Sequence, residues 1–500
     1  MRYKNPILPG FHPDPSICRV GDDFYLVTST FEFFPGVPIY HSKNLINWEL
    51  IGHCLTRDSQ LPLQDAAVSK GIYAPTLRYH DGVFFMTTTN VSAKGNFIVH
   101  TRDIRGTWSE PAWVSQGGID PSLFWDDDGK CYFLSTALDT DGRNSIFMSE
   151  IDPLTGELLS SAERISRGCG GRFPEAPHLY KRGDWYYLML AEGGTEYGHM
   201  ETIQRAENIY GPYETCPRNP ILSHRDHPSS LQATGHADFV EDTNGRWWLV
   251  CLGIRTIPHT KLHHLGRETF LSPLEWDAGG WPVVGNEGRI SAEMDAPLPG
   301  PIPTPVSLDF SDRFDGEALD IHWNFVRNPK RENYRLENGR MTLIGGGDDL
   351  STPLGHPTMI AVRQQEFCME ATVRLEGALT SGQCTGLSAF YNNDYHYDVL
   401  VTKEDGHFVC LRKRVADIDV VTARHPIDYK NAIRLKIESG VEWYTFSYET
   451  EDGFVELGRG KTALLCTEGT HPTSFTGTYW GVFCEKGEID VRSFSVKEMK

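Results

Sequence analysis

The chain has 500 residues, 39% of them hydrophobic and 11% aromatic, and a formal net charge of −20 at pH 7. That length exceeds what one hydrophobic core usually serves, so two or more domains are expected. The acidity excludes a nucleic-acid reader and a protein docked on an anionic membrane, both of which need a basic face, whereas a neutral carbohydrate partner meets no such repulsion.

The opening segment Met1–Gly10 has no apolar stretch of the secretory type and meets Pro6 and Pro9 almost at once. No apolar run approaches the ~18 residues a membrane-spanning helix needs. The eleven cysteines are scattered, odd in number and free of any CxxC pair. They read as reduced packing residues, and a cytoplasmic location is expected.

Next comes an internal repeat. Five times, an acid or small residue, near proline in the first four copies, leads to a tight acidic or glycine turn and then to an aromatic-rich run. The copies begin at Asp14-Pro15-Ser16, Ala74-Pro75-Thr76, Asp120-Pro121-Ser122, Glu175-Ala176-Pro177 and Gly235-His236-Ala237-Asp238. Each reads as a β-hairpin, because aromatic and β-branched runs flank Asn, Asp and Gly turns that tolerate positive φ. Further strand-like runs follow every hairpin, giving four strands in roughly 50–60 residues, the signature of a propeller blade. A five-bladed β-propeller over residues 1–296 is expected. A large sandwich with accidental echoes is the competing arrangement.

Residues 297–305, Pro-Leu-Pro-Gly-Pro-Ile-Pro-Thr-Pro, forbid helix and central strand alike and read as a stiff, extended linker. Beyond it, over 306–500, short alternating runs such as Glu370–Leu375 and Tyr397–Val401 are separated by Gly, Asn and Asp turns. They predict a second all-β domain, a β-sandwich of the concanavalin or lectin type. No segment has a convincing helical period.

The chemistry sits at the starts of the repeats. Three carry carboxylates, Asp14, Asp120 and Glu175. First strands of a propeller are innermost, so these positions converge on one axial cavity. A lone Asp-Pro is ordinarily a turn or strand-start residue; three in register are not. Glycosidic cleavage needs a protonated acid at the leaving oxygen and an ionised carboxylate on the opposite face, and different environments can hold two carboxyls in opposite protonation states. Glu175, with the longer arm, is the candidate general acid, Asp14 the candidate base that activates water, and Asp120 the group that raises the acid's pKa and orients it. For inversion the opposed carboxyls should stand ~6.5–9.5 Å apart.

These residues resemble the β-xylosidases and α-L-arabinofuranosidases of glycoside hydrolase family 43. The likeness is carried by Asn5–Ser16, Thr28–Ile39, Gly118–Phe124, Glu175–His178, Ala191–Thr195, Gly235–Phe239 and Leu265–Leu271, which cover the first domain in order. It implies a five-bladed propeller, inversion, and the same three roles for Asp14, Asp120 and Glu175. It also implies that Arg267 binds sugar hydroxyls near the acid and that Phe31 walls the sugar subsite. His236 resembles a histidine beneath the pocket floor that in some members ligates calcium through water, with no cofactor required. Tyr73 stands where such xylosidases often carry Trp, which leaves stacking open but bears on the pentose preference. The second domain resembles the appended sandwich of the β-xylosidase branch, in which a loop Phe closes the pocket; Ser474–Thr478 matches it and makes Phe475 the candidate lid. Unaided by the likeness, Arg267, His236 and Phe475 read equally as ordinary strand or core residues. The expected activity is release of xylose from the non-reducing end of β-1,4-xylo-oligosaccharides. Arabinofuranosidase or dual action on arabinose-substituted oligosaccharides is the nearest alternative, and a non-catalytic carbohydrate-binding propeller the distant one. A homodimer or homotetramer is expected from the likeness alone.

Overall fold

The computed structural model describes residues 1–471 and 473–499. Its secondary structure is almost wholly β: strands throughout, three short 3-10 turns, and no α-helix among the described residues. Up to Val284, five antiparallel sheets of four or five strands follow one another along the chain. Their first strands are Ser16–Val20, Thr76–His80, Ile119–Trp125, Glu175–Arg182 and Leu231–Glu241; the sheets are numbered I to V in this order. Each first strand contacts those of the neighbouring sheets, and that of sheet V returns to that of sheet I, so the five enclose a common axis.

The N-terminal segment fastens the circuit. Arg2–Lys4 pairs with Glu293–Asp295, Ile7 N–H donates to the Thr269 carbonyl at 2.9 Å, and His12 N–H donates to the Arg267 carbonyl at 2.9 Å. Residues far apart in sequence, Asp14 and Arg267, are thereby set side by side. The proline-rich stretch does not float. Asn44 Nδ2 donates to the Pro301 carbonyl at 3.2 Å and Asn47 Nδ2 to that of Thr304 at 2.9 Å, laying it along sheet I.

From Phe310 onward the strands form two larger sheets, of eight and six strands, that face one another. Trp323, Trp480, Phe446 and Phe494 fill the space between them. Their inward side chains alternate with outward ones, as in Ala432–Ser439, where every second residue is buried. This second unit is bound to the first over a broad contact. Phe33–Phe34 pairs with Phe325–Val326, Phe33 stacks on Tyr479 with centroids 4.1 Å apart, and Arg255 bridges Glu268 and Glu366 at 2.8 Å each.

Candidate active site

The three carboxylates lie where strand pairing breaks. Asp14 precedes its strand at φ 54°, and Asp120 sits at φ 52° inside a register shift between Ile119 and Ser122. Glu175 opens a like shift ending at His178, with Ala176 at φ 52°; His236 lies in another, between Gly235 and Asp238, at φ 50°. An extra residue on the inner strand bends it and re-aims the local side chain. The repeats of sheets III, IV and V therefore share a bulge as well as a hairpin, and Asp120, Glu175 and His236 lie in it.

All eight residues singled out from the sequence line one cavity of about 390 Å³: Asp14, Phe31, Tyr73, Asp120, Glu175, His236, Arg267 and Phe475. Asp14 and Asp120 are buried at 4% and 7% exposure, whereas Glu175 is the more open of the three. Arg267 Nη1 donates to Asp14 Oδ1 at 2.7 Å, and the Ser29 hydroxyl donates to Asp14 Oδ2. Burial alone raises the Asp14 pKa, but the Arg267 guanidinium, His236 and Ser29 outweigh it and hold the carboxyl below its ordinary value. Glu175 has the opposite balance: burial, then the negative charge of Asp14, push it up to about 7. Asp120 goes up as well, through burial and then the charges of Glu175 and Asp14. At neutral pH the cavity thus opposes an ionised Asp14 to a pair, Asp120 and Glu175, that retains a proton.

The aromatic side of the cavity surrounds Arg267. Its guanidinium carbon lies 5.5 Å from the Phe31 centroid and 5.6 Å from that of Phe475. Phe31 meets Tyr73 at 5.4 Å and Phe475 at 6.1 Å. Phe475 comes from the second unit, and its backbone is latched on both sides: its N–H donates to Ser69 Oγ at 2.7 Å, and its carbonyl faces Arg267 Nη2 at 3.5 Å. Gly266, at φ 88°, permits the approach, since a Cβ there would stand 3.0 Å from Gly477 Cα. The Nε of Arg267 is buried without a hydrogen-bond partner among the described residues.

Beneath the carboxylates the axis is closed by an ion pair. Asp238, fully buried, accepts from Arg78 Nη1 at 2.7 Å, Ser16 Oγ and Tyr180 Oη at 2.6 Å each, and Ile17 N–H at 3.0 Å. Arg78 Nη2 also bonds His178 Nδ1 at 2.8 Å. These residues come from sheets I, II, IV and V, so the pair ties the ring across its centre. His236 Nδ1 stands 3.6 Å from Asp14 Oδ1, and burial lowers its pKa, favouring neutral imidazole. The side chains around it offer no cluster for direct ligation, so a calcium ion there would be held by His236 and water. The nearest carboxylate is engaged by Arg267, the axial carboxylate by Arg78, and no group of three or more His, Cys, Asp or Glu side chains among the described residues could hold a metal.

Sequence reasoning missed Asn144, Phe173, Thr195, Glu196 and Thr473, which also line the cavity. Apart from Thr195, within a segment already noted, they lie outside the repeated hairpins, Asn144 at the start of a strand and Phe173, Glu196 and Thr473 in loops, and carry no periodic signal.

A sugar-sized cavity holding carboxyls in opposed protonation states, with an arginine in its lining and aromatic walls, defines the protein as a glycoside hydrolase. Comparison with known proteins gives the family. Residues 3–282 match the model described as glycosyl hydrolases family 43, and residues 311–494 match a beta xylosidase C-terminal concanavalin A-like domain. The chain is 42% identical to a non-reducing end alpha-L-arabinofuranosidase of Bacteroides ovatus, covering 96% of this chain and 91% of that protein. It is 34% identical to a beta-xylosidase of Bacillus subtilis over the whole of both chains. Among solved structures, a xylan beta-1,4-xylosidase of Bacillus halodurans superposes with a TM-score of 0.92 at 33% identity, covering 99% of this chain and all of that one. The chain belongs to glycoside hydrolase family 43, within its xylosidase and arabinofuranosidase members.

Proposed function

We propose that this glycoside hydrolase is an inverting exo-enzyme that removes one pentose from the non-reducing end of short oligosaccharides, xylose from β-1,4-xylo-oligosaccharides being the leading substrate. The first unit is read as a five-bladed propeller with the five sheets as blades, and the cavity as its axial pocket. The observation that carries the reading is the opposition of a lowered Asp14 to a raised Glu175 within one cavity.

The reaction follows from those states. The pentose enters between Phe31, Tyr73 and Phe475, with the Arg267 guanidinium donating to a ring hydroxyl. Glu175 gives its proton to the glycosidic oxygen as the bond from that oxygen to the anomeric carbon breaks. A water on the opposite face adds its oxygen to the same carbon and passes a proton to Asp14. Net, one water is consumed, the leaving sugar gains a hydroxyl, and the anomeric configuration inverts. Asp120 keeps the pair protonated and orients Glu175. Phe475 shuts the pocket behind one sugar unit, which supports action at chain ends.

A second reading, α-L-arabinofuranosidase or dual activity, is favoured by the 42% identity to the Bacteroides ovatus arabinofuranosidase and by Tyr73 in the wall. Initial rates on 4-nitrophenyl β-D-xyloside and α-L-arabinofuranoside decide between the two, and proton NMR of the first-formed sugar reads its anomer. Retained configuration overturns the inverting mechanism.

A further inference from the structure

Phe173 lines the cavity yet is 45% exposed, with its backbone at φ 52°. A bulky non-glycine residue in the left-handed region is strained, and one left in solvent gains little from burial. Its position has another cause. Two residues on is Glu175, so Phe173 flanks the proton donor, while Phe31, Tyr73 and Phe475 cluster with Arg267 on the side of Asp14.

The loop that carries Phe173 is held by a carboxylate the reaction does not use. Glu192 is fully buried. Its Oε1 accepts from Cys169 N–H at 2.5 Å and from Thr202 Oγ1 at 2.9 Å, and its Oε2 accepts from Gly171 N–H. Gly193 N–H closes the loop by donating to the Arg172 carbonyl at 2.6 Å. The ring itself is posed from two directions. The Arg172 guanidinium lies 4.8 Å from its centroid, and its edge rests over Gly194, where a Cβ would come within 3.2 Å of Phe173 Cδ2.

We propose that Phe173 is the platform on which the leaving-group sugar packs, a specificity residue for the sugar that departs, separate from the walls that hold the sugar being released. The negative face of an aromatic ring suits the C–H face of a sugar, and a rigid, braced ring spends little conformational entropy in binding it. Glu192 acts as a positioning residue through the loop. The proposal rests on the exo-pentosidase reading above.

The test compares wild type with Phe173→Ala, Phe173→Leu and Phe173→Tyr. KM is measured on xylobiose and on an arabinofuranosyl-xylose disaccharide, with inhibition by free D-xylose and L-arabinose reporting the inner position. For the disaccharide that wild type cleaves, Phe173→Ala and Phe173→Leu are expected to raise KM about tenfold, with Ki of the released pentose changed less than twofold and Phe173→Tyr near wild type. Equal losses in KM and Ki, no loss, or full rescue by leucine overturns the platform. Wild type that cleaves neither disaccharide overturns the exo-pentosidase reading and this one with it.

Discussion

The floor and the rim of the cavity are built on opposite plans. On the floor, Asp14, Asp120, Arg267 and Asp238 are buried, and burial together with neighbouring charges (Arg267 beside Asp14, Glu175 beside Asp120, Arg78 beside Asp238) sets the states of the three carboxyls. On the rim, Phe475 and Phe173 are aromatic, partly exposed, and fastened through their backbones or loops to Ser69 and Glu192. The difference teaches where each kind of function resides. Chemistry needs desolvated charge in fixed protonation states, and recognition at a mouth needs apolar faces that remain open to a ligand.

Substitutions should separate the two regions. The largest effect is expected at Asp14: Asp14→Ala should cost about 10³-fold or more in kcat on natural and activated substrates alike, and substantial residual turnover removes it from the base role. Glu175→Gln comes next, losing about 10²–10⁴-fold on disaccharides but far less on aryl glycosides, whose leaving groups need little protonation. Equal losses on both substrates refute the acid assignment.

The same residue predicts two pH effects. In wild type, kcat/KM should fall as pH rises through about 7, where Glu175 loses its proton, and the Glu175→Gln variant should lack that alkaline limb. Stability should move in the same direction. Between its ordinary value of 4.5 and about 7, Glu175 holds a proton when folded that it releases when unfolded, so its contribution declines as pH rises across that window. Chemical denaturation at pH 5 and 8 should show a smaller decline in Glu175→Gln than in wild type.

A smaller, rim-type effect is expected for Phe475→Ala: KM for xylobiose should rise about tenfold, with relatively better action on longer chains once the lid is gone. An unchanged KM and chain-length preference would show that Phe475 only packs. The smallest effect should follow removal of divalent metal. Because the carboxylates near His236 are engaged by Arg267 and Arg78, EDTA treatment should leave the rate within about twofold, and a loss restored by calcium reverses that expectation.

Much of the floor was legible before any coordinates. Repeated hairpins mark equivalent positions, and equivalent positions at the starts of inner strands must face each other. Asp14 and Asp120 therefore announced themselves, and Glu175 stands one position before their equivalent, Ala176, so the three are not in strict register; Arg267, His236 and Phe475 were reached through family likeness, since one arginine or histidine in a strand has no distinguishing period. The rim was largely illegible. Phe173 lies in a glycine-rich loop, and its place depends on Glu192, nineteen residues away, whose carboxylate captures two of that loop's N–H groups.

What the amino-acid order determined by itself was the all-β character, the five-fold echo and the trio of acids. These follow from local rules, side-chain alternation and turn chemistry, that act within a few residues. Only the tertiary structure decided which acid is ionised, because those states arise from burial and from charges brought together across the chain, such as Arg267 against Asp14 over 253 positions. It also decided that a phenylalanine of the second unit lines a cavity in the first, with a contact between Phe475 and Ser69 spanning 406 residues that no local pattern encodes.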